Sequence, residues 1–321
     1  MIAFKAVVLG AAVFAAVHAH AADTFPARPV RMIVPSGAGG VTDVLGRILA
    51  HKLGENLGQQ VMIDNRPGAS GIVGSQIVAT AVPDGYTLLM VFPSHVVNPF
   101  LYKTMPYDTE KAFAPITIVS TVSLLLTVNP DLPAKSTQEL IAYAKANPGK
   151  LNYGTVGSGS LGHLGAELFR SMSGTRMTQI AYKGSPQILA ALIGGEINIY
   201  MVASISGVMP QLKSGRVRGL GVSSKQSLPV LPNVPPIADV LPGYEARGWN
   251  GVFAPAGTPK HIIEKLHREI VNIVRSPEFA QNLMAEGATA VGNTPEEFAG
   301  VIHADMKKWA AVIREAGIKG E

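Results

Sequence analysis

The chain has 321 residues, of which 47% are hydrophobic and 15% charged, and its formal net charge is +5. This length is enough for two lobes with sizeable cores. The sequence contains no cysteine, which excludes disulfides, a cysteine nucleophile and a thiolate metal site. Its basic residues are scattered rather than clustered, so we expect no nucleic-acid binding, and the weak positive charge suits a small anionic molecule.

The N-terminal segment has the three parts of a secretory signal peptide. Lys5 supplies the positive charge, residues 6–17 form a short apolar run, and Ala19-His20-Ala21 is a small-x-small cleavage site. We therefore expect residues 1–21 to be removed on export, although the sequence leaves open cleavage after Ala22. An uncleaved anchor is the alternative, but the apolar run is short for a bilayer span of about 20 residues.

The stretch at residues 33–43 organises the first half of the chain. A strand at residues 30–34 leads into a glycine-rich turn, and a helix is predicted to begin at Thr42 or Asp43, either of which is a good N-cap. Glycines let the backbone approach a ligand closely, and a helix N-terminus presents amide N–H groups to an anion. We favour a carboxylate, because neither phosphate-binding glycine motif is present. A simple tight turn explains the glycines equally well.

Strands and glycine-rich or polar loops continue to alternate after this stretch. Strands are predicted at residues 61–63 and 87–91, with a glycine-rich turn and a helix at 72–81 between them. A polar loop at residues 93–99 follows the second of these strands. Because open α/β sheets bind ligands at the carboxyl ends of their strands, this loop is a candidate for ligand contact.

Two extended runs, at residues 113–121 and 124–128, predict a crossing from one lobe to the other. A second strand-loop-helix unit follows, and its loop at residues 154–162 repeats the glycine pattern and adds hydroxyl groups. The remaining elements predicted in this lobe are helices at 136–146, 186–192 and 206–213 and strands at 151–153, 178–181, 197–201 and 217–222. The chain is predicted to return at residues 249–255 and to close with helices at 260–274, 277–286 and 295–316.

Metal and enzymatic chemistry find little support in the sequence. His95, His163, His261, His267 and His303 lack metal-binding spacing, G-x-S-x-G is absent, and the predicted cleft loops hold no pair of carboxylates. We therefore expect no metal, no cofactor and no enzymatic activity, and a secreted hydrolase is the less favoured alternative.

Four side chains in or near these loops each carry two interpretations. His163 either contacts the ligand or braces its loop, or it caps and packs like an ordinary histidine. Asp43 is either a ligand contact or a helix cap. Tyr182 and Trp249 either line a cleft or pack in the core.

Several distinctive motifs, in the same order along the chain, resemble the Bug family, the periplasmic substrate-binding proteins of tripartite tricarboxylate transporters. They are Val34-Pro35-Ser36-Gly37-Ala38-Gly39-Gly40-Val41-Thr42-Asp43, Asn65-Arg66-Pro67-Gly68-Ala69-Ser70-Gly71, Pro83-Asp84-Gly85-Tyr86-Thr87-Leu88, Gly157-Ser158-Gly159-Ser160 with His163-Leu164, Tyr182-Lys183-Gly184, Gly194-Gly195 and Ala254-Pro255-Ala256-Gly257-Thr258-Pro259. The resemblance covers almost all of the mature chain.

This resemblance implies an α/β fold of the two-lobed type II periplasmic binding protein (Venus flytrap) class, each lobe a mainly parallel sheet flanked by helices. One lobe would comprise residues 23–122 and 247–321, and the other residues 123–246. The protein would be a periplasmic monomer that delivers its ligand to a membrane permease of a tripartite tricarboxylate transporter.

The resemblance also implies that a small organic carboxylate is trapped between the lobes. Loop amides, hydroxyls and ordered water would hold it, rather than an arginine. Carried onto this chain, the expected ligand contacts are Ser36, Gly37, Ala38, Gly39, Gly40, Asp43, Ser94, Thr155, Gly157, Ser158, Gly159, Ser160, His163, Tyr182, Gly184 and Ala203.

Two positions depart from the family pattern. Asn198 stands where relatives usually carry an aspartate, and Val202-Ala203-Ser204 stands where many carry an acidic residue. An acidic side chain there can meet the ammonium of an amino acid, so its absence favours a di- or tricarboxylate or an aromatic acid. A ligand-sensing partner of a membrane sensor kinase remains the alternative function, because the sequence does not distinguish sensing from transport.

Overall fold

The structure is a computed structural model that describes residues 25–38, 41–285 and 287–318. The predicted signal peptide, Gly39 and Gly40 lie outside these residues. The strands are β1 (Val30–Val34), β2 (Val61–Asn65), β3 (Thr87–Val91), β4 (Phe113–Ser123), β5 (Leu125–Val128), β6 (Leu151–Thr155), β7 (Met177–Ala181), β8 (Ile199–Val202), β9 (Arg218–Val222), β10 (Arg247–Pro255) and β11 (Ala288–Ala290). The helices are α1 (Val41–Leu57), α2 (Ile72–Ala79), α3 (Ser94–Leu101), α4 (Thr137–Ala146), α5 (Leu161–Ser173), α6 (Ser185–Ile193), α7 (Ile205–Lys213), α8 (Lys260–Val274), α9 (Pro277–Ala285) and α10 (Pro295–Ala316).

In the described part of the chain the strands form two sheets. The first has the order β11-β4-β10-β3-β1-β2 and the second β7-β6-β8-β5-β9. The α/β fold with two helix-flanked sheets is confirmed, and both sheets are mixed. Parallel pairing is limited to β2-β1-β3 and β7-β6-β8, whereas β10, β4, β11, β5 and β9 join by antiparallel pairing. Strands β5 and β10 run against the βαβ strands of their sheets, because they carry the chain between the sheets and are not joined to those strands by crossover helices.

Apolar packing covers both faces of the sheets. One cluster, which includes Leu49, Met90 and Leu266, lies between the first sheet and α1 and α8. A second, which includes Leu192 and Val208, lies against the second sheet. The largest cluster is continuous from one sheet to the other, and it includes Trp249 of β10, Leu161 of α5 and Trp309 of α10. No helix in the described ranges combines the length and apolar character needed to cross a membrane.

Two local predictions fail for tertiary reasons. The polar loop predicted at residues 93–99 is helix α3, because Val96 and Val97 are buried in the core despite the flanking prolines. The helix α1 begins at Val41, so neither Thr42 nor Asp43 is its cap. Their side chains bond elsewhere, since Thr42 Oγ1 donates to Asn250 Oδ1 over 2.9 Å and Asp43 accepts from Asn65.

The three-residue strand β11 was not predicted, because it is too short to show alternation.

The chain passes between the sheets at Leu124, and again between β9 and β10, and Ser223 joins the two crossings. Leu124 N–H donates to Ser223 Oγ over 2.7 Å, and this hydroxyl donates to the Ala246 carbonyl over 2.5 Å. Backbone hydrogen bonds of Ser223 to the same two residues complete the link. The lobe boundaries predicted at 122/123 and 246/247 stay a prediction.

We expect Ser223→Ala to lower the free energy of unfolding by about 2 kcal/mol, because the buried Leu124 amide loses its partner. Denaturant unfolding measures this loss. The control is Ser224→Ala, whose hydroxyl bonds only locally, to the Gln226 carbonyl, and which we expect to cost about 1 kcal/mol or less. Equal losses in the two variants would contradict a special role for Ser223.

Candidate functional site

A cavity of about 290 Å³ lies at the carboxyl ends of strands from both sheets, and we call it the main chamber. Its volume is at the lower end of the range for small-molecule sites, roughly 300–1,000 Å³. The first sheet's part of the chain contributes Phe92, Pro93, Ser94, Val97 and Trp309, and the second sheet's part contributes Thr155, Val156, Gly159, Ser160, Leu161, Gly162, Leu164, Ser185, Tyr200, Met201 and Ala203.

A smaller cavity of about 50 Å³ adjoins the main chamber, and Phe92 and Ser94 line both. We call it the hydroxyl chamber, because serine and threonine side chains dominate its polar lining. Its residues are Pro35, Ser36, Thr42, Ser70, Gly71, Ser75, Met90, Val91, Phe92, Ser94 and His95.

Three helices begin at the main chamber. Ser94 is the first residue of α3, Leu161 of α5 and Ser185 of α6, and all three line the cavity. The first amides of a helix have no partner within the helix and carry partial positive charge. Among the described lining residues there is no lysine, arginine, aspartate or glutamate. The described lining therefore offers hydroxyls and the positive ends of three helix dipoles to an anion, without a charged side chain.

His163 braces the glycine-rich loop between β6 and α5. Gly157 and Gly159 have φ angles of +120° and +73°, which few other residues adopt, and Gly159 N–H donates to His163 Nδ1 over 3.2 Å. Burial lowers the pKa of His163, so its ring stays neutral and can accept this bond. The ring also stacks on Tyr153 and does not line the cavity. Of the interpretations drawn from the sequence, loop bracing describes this position.

We expect His163→Ala to speed amide hydrogen exchange in the loop at residues 156–160 by about tenfold, because the Gly159 amide loses its acceptor. Hydrogen-exchange mass spectrometry on the protein without added ligand measures this. Ser158→Ala is the control, since Ser158 lies exposed in the same loop. Unchanged exchange in His163→Ala would contradict the brace.

Asp43 and Asn65 brace the first glycine-rich loop in a similar way. Asp43 is buried, accepts a hydrogen bond from Asn65 Nδ2 over 2.9 Å and pairs with Arg47 at 3.0 Å. Asn65 Nδ2 also donates to the Ser36 carbonyl over 3.2 Å. Ser36 lines the hydroxyl chamber, and its buried Oγ has no hydrogen-bond partner within the protein.

His95 is buried beside the hydroxyl chamber. Its ring packs against Tyr107, Phe113 and Phe253, and neither ring nitrogen has a hydrogen-bond partner within the protein. Burial lowers the pKa of His95 to about 4, so the ring is neutral at physiological pH. A neutral imidazole offers one donor and one acceptor.

The predicted contacts thus fall into two groups. Those that line a chamber are Ser36, Ser94, Thr155, Gly159, Ser160 and Ala203. Those described but not lining either chamber are Gly37, Ala38, Asp43, Gly157, Ser158, His163, Tyr182 and Gly184. Gly184 is the N-cap of α6, next to the lining residue Ser185, and Tyr182 is half-buried against the second sheet's apolar cluster. Trp249 packs in the core and donates to Asp305 Oδ2 over 2.9 Å.

Sequence reasoning missed several lining residues. Ser185 had a signal, because it stands before the helix-initiating Pro186, and His95 lay in the polar loop predicted at residues 93–99, but Trp309 carried none that points to a cavity. Asn198, singled out from the sequence, lies at the other end of its strand, where its Oδ1 accepts from Asn152 N–H over 2.8 Å. Of the two departures, only the one at Val202-Ala203-Ser204 reaches the main chamber, through Ala203. Within the described residues no group of three His, Cys, Asp or Glu side chains is placed to hold a metal ion.

Comparison with known proteins agrees with the resemblance found in the sequence. The family model described as "Tripartite tricarboxylate transporter family receptor" matches residues 45–318. BugT of Bordetella pertussis strain Tohama I is 38% identical over 301 residues, which cover 93% of this chain and 92% of BugT.

Two solved structures share the fold at similar levels of identity. The structure of R. palustris Rpa4515 with adipate is 36% identical, with a TM-score of 0.78 and coverage of 92% of this chain and 100% of that one. The structure of the periplasmic binding protein BugD is 31% identical, with a TM-score of 0.74, and the match covers 92% of this chain and 100% of BugD. The chain belongs to the family of tripartite tricarboxylate transporter receptors, which includes the Bug proteins.

Proposed function

We propose that this protein is a periplasmic solute-binding protein that captures a small organic carboxylate between two lobes and delivers it to the permease of a tripartite tricarboxylate transporter. The observation that carries this proposal is the main chamber, where three helix N-termini meet between the two sheets and no described lining residue has a charged side chain. Such a site suits an anion that must be held firmly and then released. Its role is binding, as in BugD, rather than catalysis.

The carboxylate is proposed to lie near Ser94, where the two chambers meet. Ser94 is the first residue of α3 and lines both chambers. Ser36 Oγ and one ring nitrogen of His95 are buried donors without a partner within the protein, and a carboxylate or an ordered water can accept from them. Gly159 and Ser160 line the main chamber from the opposite lobe. The relative Rpa4515 was solved with adipate, a carboxylate, which supports this assignment.

The proposed lobes are residues 23–122 with 247–321, and residues 123–246. A ligand that contacts both lobes binds the closed arrangement more tightly than the open one and so shifts the population toward closure. Close packing across the cleft is consistent with this role, because a Cβ at Gly159 would clash with Leu101 of α3. The closed form is the one that we expect the permease to recognise.

Export is the other part of the proposal. We propose that residues 1–21 are a signal peptide and that the mature chain begins at Ala22 in the periplasm, as a monomer. The mass of the protein recovered from a periplasmic fraction tests the cleavage site. A full-length mass would contradict it.

Native mass spectrometry of the purified protein, followed by denaturing release, tests the binding function. We expect a one-to-one complex that releases a carboxylate of defined mass. If the purified protein carries no ligand, its melting temperature is measured with a panel of mono-, di- and tricarboxylates. If no acid in the panel raises the melting temperature, the proposal is contradicted. A strain that lacks the gene for this protein then distinguishes transport from sensing. Loss of uptake of the identified acid supports transport. Intact uptake, together with loss of the gene induction that the acid causes, would favour the role as a ligand-sensing partner of a sensor kinase.

A further inference from the structure

The strand-loop-helix unit of β6 and α5 brings two hydroxyl groups to the main chamber, those of Thr155 and Ser160. A hydroxyl has one proton to donate and two lone pairs that accept. Ser160 Oγ donates to the Gly157 carbonyl over 2.9 Å and accepts from His163 N–H over 3.3 Å. The proton of Ser160 is therefore used within its own loop.

The hydroxyl of Thr155 has the opposite arrangement. Thr155 Oγ1 accepts a hydrogen bond from Gln179 Nε2 over 2.8 Å, and the residue is only 1% exposed. Among the described residues no protein group accepts the Thr155 proton. A buried donor without an acceptor is unfavourable, so this proton is available to a molecule in the chamber.

The pairing of β6 with β7 places Gln179 beside Thr155. The two strands are parallel, with Tyr153 opposite Gln179 and Thr155 opposite Ala181. Because side chains alternate between the two faces of a strand, Tyr153, Thr155 and Gln179 share one face of the sheet. Gln179 itself lines neither chamber, so any effect that it has on a ligand passes through Thr155.

We propose that Gln179 is a positioning residue, which holds the Thr155 hydroxyl with its proton directed into the main chamber, where it donates to a carboxylate of the ligand. This inference rests on the proposed function and adds a residue that selects for an anion. The amide of Gln179 donates, so the Thr155 proton has no acceptor on that side. No lysine or arginine is among the described lining residues, and a hydrogen bond to a charged acceptor is the stronger kind.

Gln179→Glu reverses the direction of this hydrogen bond, because a carboxylate only accepts and takes the Thr155 proton away from the ligand. The probe is whichever of adipate, malate, benzoate and citrate raises the melting temperature most. Isothermal titration calorimetry at pH 7.5 is expected to show at least about tenfold weaker binding. Unchanged affinity, the result expected if the side-chain oxygen of Gln179 faced Thr155, would overturn the inference. If none of the four acids binds the unaltered protein, the proposed function fails as well.

Gln187→Glu is the matched control for the added charge. Gln187 belongs to the same part of the chain, is exposed and lines neither chamber. Its side-chain oxygen already accepts from Lys183 N–H, which a carboxylate also does. We expect its affinity to stay within about threefold of the unaltered protein. A loss equal to that of Gln179→Glu would show that charge alone weakens binding, and would contradict the positioning role.

Two further measurements separate positioning from a structural role. In a Thr155→Val background, Gln179→Glu is expected to weaken binding at least about threefold less than in the unaltered protein, because the hydroxyl is absent. In a Thr155→Ser background, which keeps the hydroxyl, we expect the larger effect to return. Equal effects in the two backgrounds would overturn the inference. Denaturant unfolding shows that each variant is folded.

A pH profile gives the last test. The ordinary pKa of glutamate is about 4.3, so lowering the pH from 7.5 to 5 protonates part of the carboxylate introduced by Gln179→Glu. A protonated carboxyl group donates to Thr155 as the amide does. We therefore expect the affinity ratio between the unaltered protein and Gln179→Glu to narrow by about threefold. A ratio that stays constant between these pH values would contradict the proposed direction of the hydrogen bond.

Discussion

Replacing Ala203 with Phe is expected to weaken ligand binding by about 100-fold, because an aromatic ring then occupies part of the main chamber. Ala203 is half-buried at the carboxyl end of β8 and lines a cavity of about 290 Å³. The new ring enters empty space rather than a packed core, so we expect little change in the free energy of unfolding. Isothermal titration calorimetry with the acid identified above measures the affinity, and denaturant unfolding measures the stability.

Ala203→Ser is the matched control for this prediction. It adds one oxygen atom at the same position and leaves most of the chamber free, so its affinity is expected to stay within about tenfold of the unaltered protein. If Ala203→Phe binds as tightly as Ala203→Ser, the ligand does not occupy the main chamber. Loss of binding together with loss of fold in Ala203→Phe would be visible in the unfolding curve and would contradict the expectation that the ring enters a void.

The second large effect concerns stability at acid pH and depends on His95. Burial lowers the pKa of His95 to about 4 in the folded protein, from 6.5 in the unfolded chain. Between these values the unfolded state binds more protons, so stability rises with pH and is fully present above about pH 6.5. As the pH falls from 6.5 towards 4, we expect this histidine alone to cost about 3 kcal/mol of unfolding free energy.

His95→Phe isolates this contribution. The ring is surrounded by Tyr107, Phe113 and Phe253, and no protein hydrogen bond is lost with it, so we expect stability at pH 7 to remain within about 1 kcal/mol. Tyr107 does not titrate in this window, because burial raises its pKa further. Urea unfolding at pH 4.5, 5.5, 6.5 and 7.5 measures the slope. His51→Gln, at an exposed position of α1, is the control, and a slope in His95→Phe equal to that of the control would contradict the assignment.

Elements with a strong local signal could be predicted from the sequence. The strands β1 and β3 and the helices α8 and α10 begin and end at the predicted residues. The caps also follow local chemistry, since Ser136 accepts from Glu139 N–H and Thr294 accepts from Glu297 N–H, each over 3.1 Å. In these segments periodicity, capping and turn residues all indicate the same structure, and tertiary packing leaves the element type and its ends unchanged.

Elements that depend on distant partners could not be predicted in this way. Helix α3 contains Pro99 and has polar residues at Ser94, His95 and Asn98, and it forms because Val96 and Val97 are buried in the core shared by the two sheets. Strand β11 has three residues and exists through its pairing with β4. The antiparallel part of each sheet likewise follows from the two crossings, whose direction no local pattern records.

The sequence by itself determined the family, the α/β class and the loops that meet at the site, because glycines, helix caps and strand ends are local features. It located Ser36, Ser94, Gly159 and Ser160 on these loops. Only the tertiary structure decided which atoms line the cavity. Trp309 comes from the last helix and lines the same chamber as Ser160, while Asp43 and His163 brace their loops instead of lining it. The physical reason is that a cavity is defined by side chains distant in sequence, whose burial and hydrogen bonds depend on how the two sheets pack together.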